Sequence, residues 1–293
     1  VTVVGVWASS VASRHFDRSD PSQVVVDEVA GQVVTLEPWQ QFALASAFGW
    51  QRYNPEYGEW FRRFRQTYLE VARKNGKSTI AAGVALYLLD ADREPGAEVY
   101  TAATKREQAR IAWSEAKRMV QSSAFLRRRI RSVRDNLHIV NTASKLEPLG
   151  RDTDSMDGLN VHGAIVDELH AHKNREIWDL LDTATGSRRQ SMIFGITTAG
   201  VDKQSLCWNL HEYTEKILEQ TVADDSFFGI IYTLDLEKKD TDGKIVEPGD
   251  DWEDETCWVK ANPNLGASKK LDDMRRKAVQ AAEMPTAQNS FLQ

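Results

Sequence analysis

The chain of 293 residues has 41% hydrophobic residues and a net charge of −6, which supports one large folded core and excludes a protein that coats nucleic acid over its whole surface. Cys207 and Cys257 lie far apart without metal-ligand spacing, which excludes a disulfide framework and a cysteine zinc site. The opening VTVVGVWASSVASR has no preceding basic segment and no apolar run of about 18 residues, so neither secretion nor a membrane span is expected, and a reducing, cytoplasmic setting fits.

No repeat or low-complexity segment is present, and strands alternate with helices, the pattern of a mostly parallel sheet covered on both faces. Trp39, Phe42, Ala45 and Phe48 recur at helical spacing behind Pro38, which predicts a helix over 38–50. A buried strand over 66–72 runs into a helix over 77–89 with Ile80, Val84 and Leu88 on one stripe. The next strand is predicted over 98–102, followed by a helix through Met119 and a strand pair over 137–146. An apolar strand over 162–166 ends in Asp167 and Glu168, a helix follows over 175–185, and a buried strand over 191–197 stops at Thr198-Ala199-Gly200. In a parallel sheet all these strand ends face one crevice.

Two clusters of charge differ in sign. Arg127, Arg128, Arg129, Arg131 and Arg134 form a basic group that reads either as a solvated helix end or as a contact for DNA or phosphate. The stretch from Asp235 to Glu255 holds ten carboxylates against three lysines, broken by Gly243 and Gly249, and reads as a solvated hairpin or loop.

The chemistry concentrates at the strand ends. VARKNGKST, Val71 to Thr79, places Gly76-Lys77-Ser78 between a strand and a helix, where backbone N–H groups and the positive end of the helix dipole converge on one anion. Lys77 is positioned to reach the terminal phosphates of a nucleotide and Ser78 to ligate its Mg2+. Val71 stands where GxxxxGK[ST] has its first glycine, a departure that leaves a plain polar turn as the alternative. About ninety residues on, GAIVDE (Gly163 to Glu168) delivers two carboxylates: Asp167 suits a metal-holding role and Glu168 a water-activating one, against the alternative of two acids capping a helix. His170 and His172 lack further ligands and are expected to pack beside the following helix.

These residues resemble the large terminase subunits of tailed double-stranded DNA phages. LEPWQ (Leu36 to Gln40) and FGW (Phe48 to Trp50) look like the family's opening, ARKNGKS is similar to the glycine-poor phosphate loop of its HK97-like branch, and AATKREQA (Ala102 to Ala109) looks like the segment after the second strand. SMDGLNVHGAIVDELHAH (Ser155 to His172) resembles the Walker B region, ITTAG (Ile196 to Gly200) the coupling motif, and WVKANPNLG (Trp258 to Gly266) the region after the ATPase core.

The resemblance implies an α/β P-loop NTPase of the additional-strand, conserved-glutamate type, with a mostly parallel central sheet flanked by helices and a small lid or linker subdomain. It divides the chain into an N-terminal extension (1–35), an ATPase core (36–234) and a lid or linker region (235–293) that stops before the family's nuclease domain, so no nuclease activity is expected of this segment. It also implies ATP as ligand, with Gln40 near the adenine, Arg73, Lys74, Asn75, Gly76, Lys77, Ser78 and Thr79 in the phosphate loop, Ser78 and Asp167 on Mg2+, Glu168 as base, and Thr197 with Thr198 in coupling. Arg73 is expected to sense phosphate, and Arg151 to complete a neighbouring subunit's site, with Arg128, Arg129, Arg188 and Arg189 as alternatives. The implied partners are double-stranded DNA, a portal protein, a small terminase subunit and further copies in a ring, expected to be pentameric, on a procapsid in the host cytoplasm. A helicase-like ATPase and a nucleotide-binding module that turns over weakly are the competing readings.

Overall fold

The computed structural model describes residues 36–150, 158–172, 174–200, 202–240 and 242–292. Helix α1 (Pro38–Gly49) leads into a hairpin of β1 (Gln51–Asn54) and β2 (Glu59–Arg62). Strand β3 (Gln66–Glu70) ends at the loop that opens α2 (Lys77–Leu86). There follow β4 (Glu98–Ala102), α3 (Arg106–Ser122), α4 (Ala124–Arg129), β5 (Arg131–Ser132), β6 (Leu137–Ile139) and β7 (Ser144–Leu149). Strand β8 (Val161–Asp167), α5 (Glu176–Thr183), β9 (Met192–Thr197), α6 (Leu206–Leu218) and β10 (Phe227–Ile231) complete the core. An exposed hairpin, β11 (Lys238–Lys239) with β12 (Ile245–Glu247), and helices α7 (Trp258–Ala261), α8 (Leu271–Glu283) and α9 (Pro285–Leu292) come last. Among the described residues no helix is long and apolar enough to cross a membrane.

Strands β10, β3, β9, β8, β4 and β7 lie side by side in that order and run parallel, with β6 and β5 added antiparallel beyond β7. Strand β9 therefore separates the strand that feeds the phosphate loop from the strand that carries the acids. Alternation assigns the two faces: Leu69, Ile165, Phe194 and Ile196 pack with α1, α2 and α3 on one side, while Tyr68, Ala164, Val166 and Ile193 pack with α5 and α6 on the other. All seven residues of β8 are buried, as expected for a parallel strand covered on both faces. Gly163 on β8 is required by close approach, because a Cβ there would stand 2.7 Å from Leu88 Cδ1.

The helix predicted over 77–89 is α-helical only to Leu86 and then widens into a π turn over Tyr87–Ala91. Every residue from Ile80 to Ala91 is buried, so no polar face marks the change. The turn presents Asp90 to Arg129, whose Nε donates at 2.7 Å, and ends beside Asp92. Asp92 joins Arg62 (2.5 Å) and His162 Nε2 (2.7 Å) in a buried cluster at the sheet edge where β8 begins. A cavity of about 180 Å³ lined by Phe48, Trp60, Arg62, Tyr87, Asp92 and Gln190 opens there, at the opposite edge from the phosphate loop.

Candidate active site

The strand order brings three functional strand ends to one edge: β3 leads into the phosphate loop, β8 ends in Asp167, and β9 ends in Thr197, with Thr198 next in the chain. Register fixes their spacing, with Glu70 opposite Thr197 and Asp167 opposite Ile196.

The phosphate loop is built differently from its sequence template. Val71 is fully buried, its N–H donates to Thr197 O at 3.0 Å, and its carbonyl accepts from Lys77 Nζ at 3.1 Å. Its φ is not positive; the left-handed residues are Lys74 (φ 70°) and Gly76 (φ 79°). A glycine is therefore needed at 76, where the loop turns into α2, and not at 71. Left-handed steps between right-handed ones turn successive N–H groups inward, the geometry of an anion nest.

Lys77 is buried and Nζ also donates to Ala72 O at 3.2 Å. Burial lowers its pKa, Arg73 adds to that effect, and the charges of Glu168 and Asp167 oppose it. Asp167 shows the converse: burial and the neighbouring Glu168 push its carboxyl up to about 6, against the Glu168 N–H, which donates to Oδ1 at 2.8 Å, and the charge of Lys77. A buried carboxylate short of counter-charge, facing a buried ammonium, fits a site that takes up a cation together with phosphate oxygens. Among the described residues no three His, Cys, Asp or Glu side chains cluster as a metal cage.

Glu168 lies in the left-handed region (φ 54°), which bends the chain sharply off β8 and leaves the carboxylate partly exposed. Arg73 is exposed, close enough to lower the pKa of both Lys77 and His170. Gln40 sits at the start of α1, its Oε1 accepting from Glu37 N at 3.0 Å, and its Nε2 would lie 3.0 Å from a Cβ at Gly76. Ser78 and Thr79 occupy the first turn of α2. Arg151 lies outside the described residues. Of its alternatives, Arg188 is engaged at the far edge by Asn160, Glu94, Pro95 O and Gly96 O, and Arg189 pairs with Glu59. Arg129 is held by Asp90, while Arg128 is exposed. His170 lies on a turn that contacts α6, and its ring bonds to Thr197, Thr198 and Glu168.

A further clamp comes from the far end of the chain. Buried Asn75 donates from Nδ2 to Ala72 O (2.9 Å), and its Oδ1 accepts from Asn264 N (2.9 Å), 189 residues away. Ser268 Oγ donates to Lys74 O at 2.6 Å, and Trp39 Nε1 donates to Asn264 Oδ1. The segments LEPWQ, ARKNGKS and ANPN thus meet at the loop; Asn262 and Asn264 lie within WVKANPNLG, whereas Ser268 and Lys269 fall outside every motif of the sequence. Burial, with Lys277 and Lys77 nearby, lowers the Lys269 pKa to about 8. Asn75→Ala is expected to cost about 1–3 kcal/mol of stability, as partners are left unpaired. Trypsin should then cut faster after Arg73 and Lys74; an unchanged rate would show that the clamp does not order the loop.

A phosphate loop on one strand, two acids on another and a third strand between them define a P-loop ATPase of the additional-strand, glutamate-bearing class. The model of the terminase large subunit, ATPase domain, matches residues 38–216. The chain belongs to that family. Protein YmfN of Escherichia coli K12 is 38% identical over 112 residues, covering 38% of this chain and 22% of YmfN. The large terminase subunit of Enterobacteria phage HK97 is 25% identical over 278 residues, covering 90% of this chain and 48% of that protein. The crystal structure of the HK97 large terminase has the same fold, with a TM-score of 0.70 at 24% identity over 88% of this chain and 49% of that one. The chain thus spans about half the length of the HK97 protein.

Proposed function

We propose that this chain hydrolyses ATP to drive double-stranded DNA into a procapsid, as the ATPase part of a packaging motor. The convergence of the Lys77 loop with Asp167 and Glu168 at one sheet edge carries this reading. In it, the loop N–H groups and Lys77 bind the β- and γ-phosphates, and Arg73 adds a second positive charge at the phosphates. Gln40 reads the adenine side, and Lys74, Asn75, Gly76 and Thr79 shape the loop that receives the phosphates. Ser78 and Asp167 would hold Mg2+, which when bound neutralises charge on the phosphoryl oxygens. Glu168 orients the attacking water and accepts its proton. Thr197 and Thr198 transmit the state of the site along β9.

The same reading makes the active assembly a ring of copies docked on a portal protein, with a small terminase subunit and DNA as partners and Arg151 as the residue offered to a neighbouring site. The family match does not favour the helicase-like alternative. Purified chain is expected to release phosphate from ATP, slowly when isolated, because an arginine supplied in trans is worth about 10³ to 10⁵ in rate. Lys77→Ala should weaken both nucleotide binding and turnover in fluorescent-nucleotide titration and phosphate-release assays. Wild-type affinity in that variant would remove the loop from the site.

A further inference from the structure

His170 occupies a junction that no motif assigned to it. Strand β8 ends at Asp167, Glu168 turns the chain in the left-handed region, and a 3-10 turn over Leu169–Ala171 follows. Leu169 is fully buried and pins this turn against β9, where a Cβ on Gly195 would stand 2.8 Å from Leu169 Cδ1. The pinned turn delivers the His170 N–H to Thr197 Oγ1 at 3.1 Å. It also places one ring atom, Nδ1, 3.2 Å from Glu168 Oε2, 3.2 Å from Thr197 Oγ1 and 3.1 Å from Thr198 Oγ1.

We propose that His170 is a positioning residue: its Nδ1 holds the Glu168 carboxylate and joins it to the hydroxyls of Thr197 and Thr198. Three oxygens share one nitrogen, and the hydrogen-bond inventory decides which are served. The Thr197 hydroxyl donates to Thr198 O at 2.9 Å, so towards His170 its oxygen only accepts. Thr198 Oγ1 remains able to donate. With the ring proton on Nδ1, His170 donates to Glu168 and the carboxylate is held. With the proton on Nε2, Nδ1 accepts from the Thr198 hydroxyl and Glu168 is released. Burial lowers the His170 pKa, opposed by Glu168 and supported by Arg73 and Lys77, so the ring is neutral and carries one proton to allocate. A movement of the Thr198 hydroxyl thereby changes the hold on Glu168.

This inference rests on Glu168 as the base, and its test separates the two. Wild type, Glu168→Ala, His170→Ala, His170→Asn, His170→Gln and the Glu168→Ala/His170→Ala double variant are compared for kcat, nucleotide Kd and Tm. Asparagine places an amide N–H near the position of Nδ1, whereas glutamine places it near Nε2. His170→Ala should lower kcat about 10- to 100-fold, the size expected when a reacting group is displaced by about 1 Å, with Kd and Tm unchanged. His170→Asn should recover most of the loss and His170→Gln should not. In the Glu168→Ala background, removing His170 should cost nothing further, because a residue that acts through Glu168 has nothing left to position. Wild-type kcat in His170→Ala, a further loss in the double variant, or equal loss with a lowered Tm in Ala and Asn variants would overturn the inference. Full turnover in Glu168→Ala would overturn the reading beneath it.

Discussion

Glu168→Ala is expected to bind ATP as tightly as the wild type while losing about 10²- to 10⁴-fold in hydrolysis, the range a positioned general base contributes. Affinity survives because no hydrogen bond that places the phosphate-binding groups involves this carboxylate: Lys77 is anchored by Val71 O and Ala72 O, and the loop is held by Asn75 and Asn264. Removing a negative charge beside a polyanionic ligand also removes repulsion, so Kd should not rise. The left-handed backbone at 168 is as costly for alanine as for glutamate, so the turn after β8 has no new reason to rearrange. Phosphate release and fluorescent-nucleotide titration on the same preparation separate the two quantities. Unchanged turnover would sink the assignment of the base, and a large rise in Kd would mean that Glu168 binds rather than reacts.

The sequence was most legible where burial is continuous. Strand β4 was read over 98–102 and is observed over Glu98–Ala102, and the strand carrying the acids was read to Val166 and ends at Asp167. Both are short, almost wholly buried segments that carry β-branched residues, EVYTA and VHGAIVD. The α2 boundary was less legible, because apolar periodicity does not distinguish an i−4 from an i−5 ladder once every side of the helix is buried. Hairpin β1–β2, helix α6 and strand β10 are absent from the predicted series; in the hairpin, Tyr53 and Trp60 are exposed, so aromatic residues there do not report a core.

At the site, local spacing locates the motif residues, but the template and the loop differ in where they need glycine. The template asks for glycine at 71, whereas this loop takes its positive φ at Lys74 and Gly76, so Val71 is a buried anchor and no defect. The Asn75–Asn264 bond spans 189 positions, and no local pattern in one sequence pairs residues so far apart. His170 was visible as a histidine three residues after Asp167, yet its role depends on the hydroxyls of a different strand, brought alongside only by the β8–β9 register.

Asp92→Ala is expected to cost about 3–5 kcal/mol of stability, the range for removing one partner of a buried ion pair, out of a total of about 5–15 kcal/mol for a folded domain. Asp92 Oδ2 accepts from Arg62 at 2.5 Å and lies 2.7 Å from His162 Nε2, with both side chains of the Arg62 pair under 10% exposed. Without the carboxylate the Arg62 guanidinium stays buried, keeping Gln190 O at 2.9 Å but losing its counter-charge. Burial alone would raise the Asp92 pKa, but Arg62 and His162 outweigh it and hold the group below its ordinary value of 3.8. A depressed folded-state pKa means that the contribution is present above about pH 4 and is lost as pH falls through the lower, folded-state value. The gap between wild type and Asp92→Ala in urea denaturation should therefore be full at pH 7 and shrink in strong acid. Because the cluster lies at the opposite sheet edge from the phosphate loop, the folded fraction of the variant should bind nucleotide with wild-type affinity. A difference below about 1 kcal/mol at pH 7 would place the pair among surface ion pairs that contribute little, and a changed nucleotide affinity would show that the two edges of the sheet are coupled.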